Sequence, residues 1–103
     1  MAHQVLAELT VVPIGVGTSV SRYVAGCLKV LDDAPGVTYE LTSMGTIALG
    51  TLDAVLAAAR KMHEVPFEMG AMRVVTTIKV DDRRDKQASL RSKVSSVMEK
   101  KAG

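Results

Sequence analysis

The 103 residues carry a net charge of +2 and three aromatics, Tyr23, Tyr39 and Phe67, so they suffice for one domain around an aliphatic core. No apolar run approaches the roughly 20 residues of a membrane span, no secretion signal is evident at the N-terminus, and the lone Cys27 excludes an intrachain disulfide and fits a reducing, cytoplasmic setting. Residues 1–82 have a net charge of −3 and residues 83–103 a net charge of +5, a basic tail able to dock on its own body, on a neighbouring subunit or, less favoured, on a polyanion.

Residues Gln4 to Pro13 alternate as a strand, with Val5, Ala7, Leu9 and Val11 on one face and Leu6, Glu8, Thr10 and Val12 on the other. The loop Ile14-Gly15-Val16-Gly17-Thr18 follows, and Thr18 or Ser19 is the expected N-cap of a helix reaching about Asp33. Its apolar positions Val20, Val24, Cys27, Leu28 and Leu31 keep helical spacing. Val37–Thr42 and Thr46–Gly50 read as a hairpin around Ser43-Met44-Gly45, with Gly45 able to take positive φ. A second helix is expected to bury Leu52, Val55, Leu56, Ala59 and Met62, to kink or end at Pro66, and to stop by Gly70.

The run MRVVTTIKVDDRRDK, residues 72–86, supplies the last strand and a dense charge cluster. Arg73, Val75, Thr77 and Lys79 fall on one face, and Val74, Thr76, Ile78 and Val80 on the other. The order strand, helix, strand, strand, helix, strand is that of a split βαβ unit. The expected fold is α+β, a ferredoxin-like βαββαβ sandwich with both helices on one side of a four-stranded antiparallel sheet. The core spans residues 1–86 of a single domain. An extra amphipathic helix, from about Ser89 to Lys101 within 87–103, carries Leu90, Val94, Val97 and Met98 as a stripe. That stripe must cover a sheet edge, part of the bare face or another subunit.

The bare face is the leading site. It collects Glu8, Thr10, Glu40, Thr42, Arg73, Thr77 and Lys79 among Leu6, Val12 and Val75. Carboxylates there favour a cationic ligand, and hydroxyls orient its hydrogen-bonding edge. The plainer account is that Glu8 pairs across strands with Arg73 or Lys79 and that threonine simply suits strands. The GxG loop reads as a tight turn, because the third glycine of a dinucleotide fingerprint is missing. Asp81 to Lys86 is either a self-neutralising turn or a set of Arg forks for a neighbour's carboxylates. His3 and His63 lack ligand spacing, so no metal is expected. His63 reads as a polar-face residue, and Cys27 as packing. Met44 falls in the hairpin turn, where it could cap a pocket. The central strands lack the aromatics with which RNA-recognition folds stack bases, so no nucleic acid is expected.

Three stretches in order, TVVPIGVGTSVSRYVA, YELTSMGT and RVVTTIKVDDRRDK, resemble the small thiamine-binding protein family of the YkoF-like, ferredoxin-fold group. The resemblance runs from about Val5 to Lys86. It implies a cytoplasmic, non-catalytic homotetramer without a cofactor, built from dimers whose sheets join and then stack. It also implies a pocket for thiamine or its hydroxymethylpyrimidine precursor, serving a carrier or sensor. Joined to the bare-face reading, it makes Glu8 and Glu40 candidates for the thiazolium cation. Thr10, Thr42, Thr46 and Ser19 are candidates for the aminopyrimidine, and Met44 for a cap. Arg73, Val75, Lys79, Asp82, Arg83 and Arg84 are the candidate subunit contacts. Where the family pattern has Glu before the glycine that ends the hairpin, this chain has Leu49 before Gly50. The alternative function is an oligomeric assembly protein whose bare face is used up by subunit contacts and holds no ligand.

Overall fold

A computed structural model describes residues 2–103. Seven elements follow one another: β1 Val5–Ile14, α1 Ser21–Asp32, β2 Thr38–Thr42, β3 Gly45–Gly50, α2 Leu52–Glu68, β4 Arg73–Asp81 and α3 Ser92–Ala102. The strands form one antiparallel sheet in the order β2-β3-β1-β4. This is the ferredoxin-like sandwich with an added C-terminal helix.

Register decides which side chains meet the helices. Val5, Ala7 and Leu9 stand opposite Gly50, Ala48 and Thr46 of β3. They stand close to β4 as well, where Ala7 and Leu9 face Val80 and Ile78. Val5, Ala7, Leu9 and Ala48 are buried under α1 and α2 together with Cys27, Leu31, Val55, Ala58, Ala59 and Met62. The aliphatic core follows from the scarcity of aromatics. The opposite face bears Leu6, Glu8, Thr10 and Val12 from β1, Thr38, Glu40 and Thr42 from β2, Ile47 and Leu49 from β3, and Arg73, Val75, Thr77 and Lys79 from β4.

Several local expectations are corrected. Helix α1 starts at Ser21, and neither Thr18 nor Ser19 caps it; Val20 occupies the cap position with no side-chain bond, its carbonyl accepting from the Tyr23 and Val24 N–H groups. The inner face of α2 consists of Val55, Ala58, Ala59, Met62 and Pro66, while Leu52 and Leu56 remain exposed. Small residues at 58 and 59 let the helix lie close to its neighbours. Pro66 neither ends nor interrupts α2. Its missing N–H leaves the Met62 carbonyl without the usual helical partner, and the Cys27 thiol donates to that carbonyl from α1 at 3.5 Å. His63 is not a solvated polar-face residue. It is half-buried, with Nδ1 hydrogen-bonded at 2.6 Å to Thr76 Oγ1 of β4 and its ring edge-on to Phe67.

After β4 the chain folds back beneath the open face. Arg91 reaches Glu40 on the far edge strand at 2.7 Å, and Lys93 pairs with Asp81. The basic tail thus docks in part on its own body. Helix α3 itself buries no residue, and Val94, Val97 and Met98 are more than half exposed. The radius of gyration is 15.0 Å, against about 13 Å for a compact domain of this length. The difference reflects a helix that stands away from the sandwich.

Candidate functional site

A cavity of about 190 Å³ opens where the β2–β3 hairpin faces the start of α1. Thr42 builds the hairpin turn. Its hydroxyl accepts from the N–H groups of Met44 and Gly45 and donates to the Gly45 carbonyl at 2.7 Å. The turn therefore needs no left-handed residue, and Gly45 does not adopt positive φ. Its glycine serves close approach instead: a Cβ there would lie 2.9 Å from Thr10 Cγ2 on β1. Gly15 and Gly17, by contrast, both have positive φ and give the β1–α1 loop its tight course. That course delivers Val20 and Val24 to the cavity wall.

Ser43 and Thr46 bring hydroxyls to the cavity, and Leu9, Val11, Val20, Val24 and Leu41 give it an aliphatic lining; Thr10 borders it from β1 with its side chain on the open face beside Gly45. Sulfur closes it, with Met44 at the turn and Cys27 and Met62 at the base. Burial pushes the Cys27 thiol up to about 11, so at neutral pH it is a packed hydrogen-bond donor, not a nucleophile. No charged side chain lines this space.

The structure brings together four of the seven residues expected to meet a ligand, Thr10, Thr42, Met44 and Thr46, at this cavity. Thr10 and Thr42 border it from the open face, whereas Ser19, Glu8 and Glu40 are not among its lining residues. The register of Thr46 with Leu9 puts it on the helix-covered side, where it is buried. Thr42 lines the cavity with its hydroxyl already committed to the turn. Ser19 is exposed in the loop and takes no part in the lining. Glu8 and Glu40 lie on the open face, and Glu40 is engaged by Arg91. Leu49, where the family pattern has Glu, is on that same open face between Leu6 and Thr38. Ser43, Val20 and Val24 escaped the sequence reading. Helical periodicity marked the two valines as core, and only the overhanging hairpin turns that stripe into a wall.

The residues expected at subunit contacts divide in two. Arg73, Val75 and Lys79 are exposed on the open face of β4. Glu8 stands opposite Lys79 in register, and Arg73 opposite Ile14. Asp82, Arg83 and Arg84 follow the strand and satisfy one another locally: Arg83 grips Asp85, and Arg84 grips Asp82, which also accepts from His3 at 2.6 Å. Arg84 and His3 hold the Asp82 carboxyl down at about 2. Within one chain the charge cluster is a self-neutralising turn. No group of His, Cys, Asp and Glu suited to a metal ion occurs among the described residues.

Residues 7–98 match the profile of a family described as thiamine-binding protein. The chain belongs to that family. It is 46% identical over 96 residues to the UPF0045 protein YqgV of Bacillus subtilis, covering 89% of this chain and 92% of that one. A UPF0045 protein of Methanothermobacter thermautotrophicus is 45% identical over 98 residues, 93% and 98% of the two chains. The crystal structure of a hypothetical protein from Methanocaldococcus jannaschii superposes with a TM-score of 0.87 at 33% identity, covering 94% of this chain and 98% of its own. A Thermotoga maritima protein assigned provisionally to thiamine biosynthesis or salvage shares the fold, with a TM-score of 0.73 at 18% identity over 91% and 98% of the chains. No helix among the described residues is long and apolar enough to cross a membrane.

Proposed function

We propose that this family member is a non-catalytic, cytoplasmic carrier or sensor that binds a neutral aminopyrimidine such as hydroxymethylpyrimidine in preference to thiamine. The observation that carries the reading is the uncharged cavity of about 190 Å³ beneath the hairpin. A cavity of roughly 150 Å³ accepts a benzene ring; this one has room for one substituted ring and little more. The hydroxyls of Ser43 and Thr46 match the ring nitrogens and exocyclic groups of a pyrimidine. A thiazolium would find no carboxylate among the lining residues, and Glu40 is already paired with Arg91. Leu49 points the same way, because it takes an anion out of the family pattern.

Calorimetric titration tests this. Hydroxymethylpyrimidine is expected to bind at least tenfold tighter than thiamine. Thr46→Val keeps the shape of a buried side chain and removes its hydroxyl, which should weaken binding by about 1–2 kcal/mol. Glu8→Gln should leave it unchanged. Failure of both compounds to bind at millimolar concentration would leave the second reading, an oligomeric assembly protein with no ligand. Exposed Val12, Ile14 and Val75 on the open face favour that one. Native mass spectrometry of protein taken from cells separates the two: a retained small mass supports binding, a bare oligomer supports assembly.

A further inference from the structure

At the opposite end of the sheet a second, larger recess of about 300 Å³ lies between the returning chain and α3. Two ties shape it, Arg91 to Glu40 across the sheet and Lys93 to Asp81 at the end of β4. They turn Lys93, Ser96, Val97 and Lys100 toward the recess. Offsets of three, four and seven residues from Lys93 keep them on one face of a helix. Leu6, Ala88 and Val97 give the recess an apolar floor. Arg83, Lys86, Lys93 and Lys100 surround it with four cations, against the single carboxylate of Asp81.

The pairing of these charges decides what the recess can hold. Arg83 is taken by Asp85 and Lys93 by Asp81. Lys86 and Lys100 have no ion-pair partner among the described residues. Two free ammonium groups at the mouth of an apolar hollow attract an anion more strongly than they would on flat surface, because the low-dielectric wall focuses their field. Ser92, Ser96 and Gln87 add neutral donors to the same lining. The floor rewards an organic group attached to the anion. A strand of nucleic acid would need a long basic groove and aromatic platforms, and the recess offers neither.

We propose that this recess is a binding site for a small organic phosphate monoester, with Lys86 and Lys100 holding the phosphate and Leu6, Ala88 and Val97 packing against the organic group. It is separate from the hairpin cavity: the recess is at the Leu6 end of β1 and the cavity at the Thr10 end.

The test is calorimetry on the full chain at low and moderate ionic strength. The probes are phenyl phosphate, inorganic phosphate, phenol and a short single-stranded oligonucleotide. Phenyl phosphate is expected to bind at one site per chain, at least tenfold tighter than inorganic phosphate, with phenol silent. The double variant Lys86→Ala with Lys100→Ala should weaken phenyl phosphate at least tenfold. Both side chains are exposed, so the thermal unfolding midpoint should not move. The control pair Lys29→Ala with Arg60→Ala removes the same charge from the helical side of the molecule and should leave binding intact. Equal losses in the two double variants would reduce the site to general charge attraction and overturn the proposal. So would phenyl phosphate binding no tighter than phosphate, or the oligonucleotide binding more tightly than phenyl phosphate.

Discussion

Cys27 and Pro66 form a pair that neither residue announces alone. Proline removes the donor that the Met62 carbonyl expects, and a thiol 35 residues away along the chain replaces it. Cys27→Ala should therefore cost more than a lost side-chain contact, since a buried carbonyl left unpaired costs about 1–3 kcal/mol. The same residue sets an alkaline limit. Its thiol titrates near 9 when the chain unfolds and is pushed up to about 11 in the folded protein. The folded state then holds a proton that the unfolded state has released, so stability falls as pH rises from about 9 toward 11. Urea unfolding of the wild type and of Cys27→Ala at pH 8 and pH 10 checks this; the alkaline loss should be smaller in the variant. Equal losses would mean that other groups govern the alkaline side. The sequence revealed that Pro66 removes a donor. It could not reveal the compensation, which depends on how α1 packs beside α2.

At the scale of elements, the alternation of β1 and β4 was legible because a strand's side chains switch faces at every step. Once Val5, Ala7 and Leu9 belong to the core, Glu8 and Thr10 must face the other way. The face of Thr46 was not legible, because it depends on the register between β3 and β1, and nothing within β3 itself reports that register. The inner face of α2 was half legible for a related reason: hydrophobicity favours Leu52 and Leu56, whereas close packing selects Ala58 and Ala59. The join between β3 and α2 makes the same point about proximity. A Cβ on Gly50 would lie 2.9 Å from the Gly36 carbonyl oxygen and 3.2 Å from Val37 Cγ2. Backbone cannot swing aside as a side chain can, so Gly50→Ala should destabilise by roughly 1–3 kcal/mol through overpacking. Chemical denaturation measures it. A loss below about 0.5 kcal/mol would mean that the Gly36 turn yields freely.

For the whole molecule, the open face and α3 pose one question: what covers them. The sandwich leaves Val12, Ile14 and Val75 exposed on the sheet and Val94, Val97 and Met98 exposed on the helix. The sequence resemblance implies a stacked tetramer, and apolar surface distributed in this way is what such an association would cover. Val75 offers a clean discriminator because it is 47% exposed in the single chain. In a lone monomer Val75→Asp would put a charge into water, with an expected change within about 0.5 kcal/mol. In a stacked assembly the same aspartate would be buried without a partner, at a cost of roughly 3–5 kcal/mol for each contact. Sedimentation should therefore show the variant as a smaller species that keeps the wild-type circular dichroism. Removal of residues 88–103 should likewise reduce the assembly while the sandwich persists, because α3 buries no side chain of its own. If both variants sediment as the wild type does, the open face is not where copies of this chain meet.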